Sequence, residues 1–352
     1  MTEHGGNIYG ASRETGIPES EIIDFSASIN PLGVPASVLG EIIKGIRELP
    51  HYPEVHAETL TVHLSSSLAL DRASIICGNG STELIYLVAR ALSPGKVLIP
   101  APTFSEYERA CMLLRGMQSV RFELRGSDNF DINPDRFIRA MKGCEMTFLC
   151  NPNNPTGRLV EKKELLRIAD AAERMGCYLV VDEAFIDFCP GESVVGAVAD
   201  NPYLIVLRSL TKFYALSGLR IGYGVFPRPV AGHIRAHKEP WTVNSLAQKA
   251  GIAALHDEAY KKESINVMRR EKRFLEKCLR ASGIRFTPSS ANYYLIQIER
   301  AQESIAVLKK KGLLVRDCSN FAGLDESYIR VAVRSRRDNT ALLRELSILC
   351  RG

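Results

Sequence analysis

Between Ser74 and Leu207 the chain alternates short, almost continuous apolar runs with longer stretches of helical periodicity. The runs are S-I-I-C (74–77), K-V-L-I (96–99), M-T-F-L-C (146–150), C-Y-L-V-V (177–181) and Y-L-I-V-L (203–207). A strand that is apolar at every position has both faces buried, and strands separated by helices are joined by crossovers. The pattern predicts an α/β fold with a mainly parallel sheet covered by helices on both sides.

The C-terminal region has a different rhythm. N-Y-Y-L-I-Q-I (292–298), L-L-V-R (313–316) and Y-I-R-V-A-V-R (328–334) read as strands, with helical stretches near 302–311 and 338–350, which suits a small α/β layer of its own. A length of 352 residues accommodates two domains. The expected division is an N-terminal segment, 1–45, packing on the small domain; a large ligand-binding domain, 46–260; and a small C-terminal domain, 261–352.

Composition narrows the function classes. Hydrophobic residues are 45% of the chain and charged residues 24%, as in a folded globular protein rather than a fibrous or disordered one. Forty-five Lys and Arg against 40 Asp and Glu leave a formal charge of +5, too small over this length for a nucleic-acid footprint. The basic stretch 261–280 is interrupted by Ile265, Met268 and Leu275 and reads as a solvated helix face. No apolar run approaches the roughly 20 residues that cross a bilayer, and the opening M-T-E-H-G-G-N lacks a signal-like pattern, so a cytoplasmic protein with no membrane partner is expected. The nine cysteines include no C-x-x-C pair and are expected as buried thiols. His233 and His237 are spaced i, i+4 without a third ligand, so no metal site is expected.

Four clusters follow predicted strands, where open α/β sheets place their ligands. G-N-G-S-T-E (78–83) joins a strand to a helix and can bind an anion, phosphate above all; a plain glycine loop capped by Ser81 or Thr82 is the alternative. N-P-N-N-P-T-G (151–157) is stiffer than a connection requires and presents amide side chains. D-E-A-F (182–185) puts Asp182 at the end of a buried strand, where it calls for a cationic partner, backbone amides or a metal. In S-L-T-K-F-Y-A-L-S-G-L-R-I-G-Y (209–223), Lys212 lies among apolar residues that lower an amine's pKa, with Ser209 and Arg220 as phosphate ligands; a surface lysine is the bland reading. Together they describe a ligand with a phosphate, a ring nitrogen, a phenolic oxygen and an aldehyde, which is pyridoxal 5′-phosphate.

In combination, N-P-N-N-P-T-G, D-E-A-F and S-L-T-K-x-x-x-L-S-G-L-R-I-G resemble the fold type I pyridoxal-phosphate enzymes of the aspartate aminotransferase superfamily, and the likeness runs nearly end to end. The resemblance implies that Lys212 links to the cofactor aldehyde, Asp182 keeps the pyridine nitrogen protonated, Asn154 bonds the ring hydroxyl, and Gly80, Ser81, Ser209 and Arg220 hold the phosphate. Phe104, in A-P-T-F-S-E-Y, matches an aromatic residue that stacks on the ring, ordinary core packing being the alternative. Tyr52, in P-H-Y-P-E, matches a tyrosine that reaches the neighbouring subunit's cofactor phosphate, which implies a homodimer with shared active sites. Many relatives have D-E-A-Y where this chain has Phe185, so Asn154 is left to serve the ring oxygen alone.

Within that superfamily the sequence is similar to the histidinol-phosphate aminotransferases and, more closely, to the threonine-phosphate decarboxylases of cobalamin biosynthesis. H-G-G-N (4–7), D-F-S-A-S-I-N-P-L-G (24–33), V-D-E-A-F-I-D-F (181–188), P-W-T-V-N (240–244) and Y-I-R-V-A-V-R-S (328–335) carry that likeness. It implies loss of CO2 from L-threonine O-3-phosphate, giving (R)-1-aminopropan-2-ol O-phosphate. Arg330 matches the arginine that grips the substrate carboxylate in aminotransferases; given to the phosphate instead, it frees the carboxylate to stand upright to the ring and leave. Arg334, Arg316 and His4 are further candidates for the substrate phosphate and Asn30 for the carboxylate. Arg334 and Arg330 lie roughly 13 Å apart along an extended strand, so they share one anion only if the strand bends or ends between them. The alternatives are an aminotransferase and a non-enzymatic cofactor-binding regulator.

Overall fold

A computed structural model of the protein describes residues 4–349. Strand β1 (Ile23–Asp24) lies in the N-terminal segment. The central sheet follows with β2 (Ile75–Gly78), β3 (Lys96–Ala101), β4 (Gln118–Glu123), β5 (Met146–Cys150), β6 (Tyr178–Asp182), β7 (Leu204–Ser209) and β8 (Gly222–Val225). A second group contains β9 (Arg285–Phe286), β10 (Tyr293–Gln297), β11 (Leu313–Leu314), β12 (Arg316–Asp317) and β13 (Tyr328–Ala332).

The seven-stranded sheet runs β2-β8-β7-β6-β5-β3-β4 and is parallel except for β8, which is antiparallel to both its neighbours. Its central strands are buried at almost every position, as their apolar runs require. Successive side chains still alternate between faces. Phe148, Val180 and Ile205 enter one core while Leu149, Val181 and Val206 enter the other. Burying each such side chain stabilises the fold by roughly 1.5–3 kcal/mol, which makes these strands a rigid mount for the loops at their ends.

A separate four-stranded sheet, β12-β13-β10-β9, covers a third core that contains Tyr294, Ile296, Ile329 and Val331. The N-terminal segment packs onto this layer: β1 pairs with β11 in parallel, Phe25 donates its N–H to Leu314 and accepts one from Ala332, and its ring enters that third core. Helix Glu258–Ala281 bridges the two regions. The basic stretch on it is only partly solvated, because Glu271 is buried against Arg336 and Lys272 donates to the carbonyls of Ser289 and Ala291.

The eight cysteines among the described residues are free thiols, six of them buried, and Cys350 lies outside those residues. His233 and His237 are turned to backbone carbonyls, and no metal-ligating cluster occurs among the described residues. No helix there is long and apolar enough to cross a membrane.

Candidate active site

A cavity of about 490 Å3 opens at the C-terminal ends of β6 and β7, between the central sheet and the smaller one. It brings together Ser81, Phe104, Asn154, Asp182, Ser209, Lys212, Arg220, Arg316 and Arg330, with His4 on its rim. Clustering at one end follows from the parallel sheet, since every crossover returns the next strand with its C-terminus on the same side.

Asp182 ends β6 and is buried. Its Oδ2 accepts from the Tyr107 hydroxyl at 2.7 Å and its Oδ1 from the Ala184 N–H at 3.0 Å. Neither donor is a cation. Burial, only partly offset by these bonds, pushes its carboxyl up to about 6. A protonated ring nitrogen would reverse that shift, so Asp182 is suited to a cationic ligand. Tyr107 was not legible in the sequence as a site residue; it is held by stacking on Phe148 of β5, with centroids 5.0 Å apart and planes within 8°. Glu183, one residue on, faces away and pairs with Arg208 at 3.1 Å. The same alternation turns Arg208 to that pair and Ser209 to the cavity.

Lys212 lies in the turn after β7. Desolvation, then the charges of Arg330 and Arg220, pull its ammonium down to about 8, so roughly a tenth of it is neutral at pH 7. An amine so tuned can attack an aldehyde. Opposite it, the N-P-N-N-P-T-G loop divides its asparagines by task. Asn151 exchanges bonds with Val160, and Asn153 accepts from Thr103 while donating to Pro102. Asn154 faces the cavity, where its Oδ1 accepts from Arg330 Nη1.

The anion end is assembled from three turns. Helix Gly80–Leu92 starts there without a side-chain cap; Asn79 occupies the capping position and Glu83 Oε2 accepts its N–H at 2.5 Å, so Ser81 and Thr82 are left to line the cavity. Gly80 has φ +77°, and a Cβ on it would come within 2.5 Å of Arg220 Nη2. A Cβ on Gly222 would come within 2.6 Å of the Ser81 nitrogen. Ser209 Oγ lies 2.7 Å from Thr211 Oγ1. A helix N-terminus, four hydroxyl side chains and a guanidinium make a phosphate cup. This donor set, with the amine and the carboxylate, fits pyridoxal phosphate, and Phe104 stands in the lining beside it.

On the smaller sheet, Arg330 of β13 and Arg316 of β12 are direct cross-strand partners, both buried. Arg330 Nη2 donates to the Ser26 carbonyl at 2.8 Å, and its buried Nε has no protein partner among the described residues. Ser28 Oγ, also buried in the lining, is in the same position. Unsatisfied buried polar atoms converging on a cavity are places for a polar ligand.

Three sequence candidates lie elsewhere. Arg334 is not in the lining: β13 ends at Ala332, and Arg334 turns to Asp338 at 3.2 Å and to the Asp24 carbonyl at 3.0 Å. The guanidinium that joins Arg330 is therefore Arg316. Asn30 donates to the Phe213 carbonyl and to Ser264 Oγ, both at 2.8 Å, and its Oδ1 accepts the Leu32 N–H, so its amide is committed to buried structure. Tyr52 is 83% exposed, packs against Trp241 at 5.2 Å and is absent from its own chain's cavity lining.

Known proteins share this arrangement of the chain. The threonine-phosphate decarboxylase of Salmonella typhimurium (strain LT2) is 39% identical, over 99% of this chain and 97% of that protein. The crystal structure of the histidinol-phosphate aminotransferase from Clostridium acetobutylicum superposes with a TM-score of 0.87 at 33% identity, covering 93% of this chain and 98% of that one. That of L-threonine-O-3-phosphate decarboxylase from Porphyromonas gingivalis gives 0.83 at 28% identity, covering 93% and 99%. The family described as aminotransferase class I and II matches residues 20–346, and the chain belongs to it.

Proposed function

We propose that the protein is a pyridoxal-phosphate-dependent carboxy-lyase that converts L-threonine O-3-phosphate to (R)-1-aminopropan-2-ol O-phosphate and CO2, a step of cobalamin biosynthesis. The observation that carries this is the buried Arg316–Arg330 pair at the end of the cavity opposite the phosphate cup. The 39% full-length identity to the Salmonella decarboxylase supports it. When bound, pyridoxal phosphate supplies an aldehyde for the substrate amine and an electron-poor ring that weakens the bonds of the α-carbon.

Each residue then has a task. Ser81, Ser209, Thr211 and Arg220 fix the cofactor phosphate, and Gly80 leaves room for the Arg220 guanidinium beside it. Asp182 holds a proton on the ring nitrogen, and Asn154 serves the ring oxygen. Arg316 and Arg330, with Ser28 in the same lining, take the substrate phosphate, so neither of these two guanidinia holds the carboxylate in the ring plane. Lys212 Nζ returns a proton to the carbon that CO2 leaves.

The division into 1–45, 46–260 and 261–352 belongs to the same proposal, its second boundary falling in the first turn of helix Glu258–Ala281. So does a homodimer in the cytoplasm. Leu39, Ile43, Ile46, Leu49, Tyr52 and Trp241 leave an apolar face on one protomer, and a second copy covering it brings Tyr52 to the neighbouring cavity. An aminotransferase acting on histidinol phosphate is the second reading, favoured by the fit to the Clostridium structure. A paired assay separates the two. The decarboxylase releases CO2 from phosphothreonine without a keto acid, whereas the aminotransferase needs 2-oxoglutarate and forms glutamate from histidinol phosphate.

A further inference from the structure

Glu106 is a carboxylate in a cavity built for anions. It opens the helix Glu106–Met112, is 4% exposed and lines the cavity two residues after Phe104. A buried carboxylate persists where donors satisfy it. The Tyr86 hydroxyl donates to Oε2 at 2.5 Å, His4 Nε2 lies 2.9 Å from Oε1, and Arg109 Nη1 stands further off at 3.6 Å.

His4 reaches Glu106 from the other side of the cavity. The Gly6 N–H donates to Ser26 Oγ at 2.7 Å, and a Cβ on Gly5 would approach the Ser26 carbonyl oxygen to 2.3 Å. Residues 4–6 thus form a strap, fastened at Ser26 beside the smaller sheet and tied to Glu106 beside the larger one. The imidazole is tilted 48° against Phe104, with centroids 5.8 Å apart, and forms part of the lining. The bond made by one ring nitrogen of a histidine determines what the other can do. Since the carboxylate accepts, Nε2 is the donor there, and Nδ1 is left for a ligand.

Resting on the phosphothreonine reading above, we propose that Glu106 is a positioning residue for substrate choice. It holds the His4 ring across the cavity so that Nδ1 is presented to the phosphate of the substrate, and it acts on the phosphorylated ligand alone.

The test compares L-threonine O-3-phosphate with unphosphorylated L-threonine on the holoenzyme, each titrated by the change in cofactor absorbance. Glu106→Gln and His4→Ala are each expected to weaken phosphothreonine about tenfold or more while moving threonine less than about twofold. The double variant is no weaker than His4→Ala, Glu106→Asp regains part of the preference, and in turnover the loss falls on KM rather than kcat. Equal losses for the two ligands, or additive losses in the double variant, overturn the role of Glu106. A wild type that prefers phosphothreonine but releases no CO2 contradicts the decarboxylase reading, and the variants' ligand ratio still decides the inference. A wild type with no such preference overturns the inference itself.

Discussion

Arg316 and Arg330 stand directly opposite one another across the antiparallel β12–β13 pair, both buried and both in the wall of the same cavity. Arg316 is steadied by Asn320 Oδ1 at 2.8 Å and Arg330 by Asn154 and the Ser26 carbonyl, so a phosphate bound at this wall meets two oriented, charged donors. Phosphothreonine is expected to raise the melting temperature of the holoenzyme. Arg316→Ala should abolish that rise and increase KM about 10- to 100-fold, the worth of a hydrogen bond to a charged group. Thermal shift and steady-state kinetics on the one variant check both.

Asp182 sets a stability cost that depends on pH. Its folded pKa of about 6 lies above its ordinary 3.8, so between those values the folded chain binds more protons than the unfolded one and stability falls as pH rises. The cost is complete above pH 6 and amounts to at most about 3 kcal/mol. Cofactor-free Asp182→Asn should be more stable than wild type to urea at pH 7, with the advantage gone near pH 4. The same variant, loaded with cofactor, should lose nearly all activity.

Lys212 behaves in the opposite sense. Its folded value of about 8 lies below the ordinary 10.5, so the unfolded chain holds the extra proton between them, and the cofactor-free protein gains stability as pH rises across that window. Lys212→Met should flatten this rise in urea titrations and leave a protein that cannot bind its cofactor covalently, seen as loss of the visible absorbance after gel filtration.

Tyr107→Phe removes the donor to Asp182 without emptying the stack on Phe148. The carboxyl then rises further, and the fraction ionised near neutrality falls. We expect activity to drop about tenfold at pH 7, with partial recovery at pH 8, in a pH–rate profile.

Shared sites can be tested by mixing two inactive proteins, Tyr52→Ala and Lys212→Ala. Mixed dimers hold one site with both residues intact, so random exchange of subunits should restore roughly one quarter of wild-type activity. Independent protomers would restore none.

Much of this fold could be read from the residues because its central strands are buried on both faces. Two strands of the central sheet escape that reading, each for its own reason. β4 is a charged edge with only Phe122 buried, and β8, G-Y-G-V, has too little side chain for a strand signal. The same contrast holds at the site. Asp182, Asn154, Ser209 and Lys212 occupy loops directly after strands, where sequence position and spatial position coincide. The pairing of Arg316 with Arg330 depends on the register of two strands, so the residues alone offer Arg316 and Arg334 alike, and Asp338 captures Arg334 once β13 ends. Tyr107, Ser28 and Glu106 reach the cavity through packing between distant segments, which no local pattern encodes. Asn30 sits in a motif-like stretch, yet its amide satisfies buried groups of Phe213 and Ser264.

The most direct test is to run the holoenzyme on L-threonine O-3-phosphate in deuterium oxide, with no keto acid, and follow products by mass spectrometry. The expected result is CO2 in step with aminopropanol phosphate that carries a single deuterium on the carbon that lost the carboxylate. Retention of the carboxylate, with the amino group leaving only when 2-oxoglutarate is added, would contradict the account.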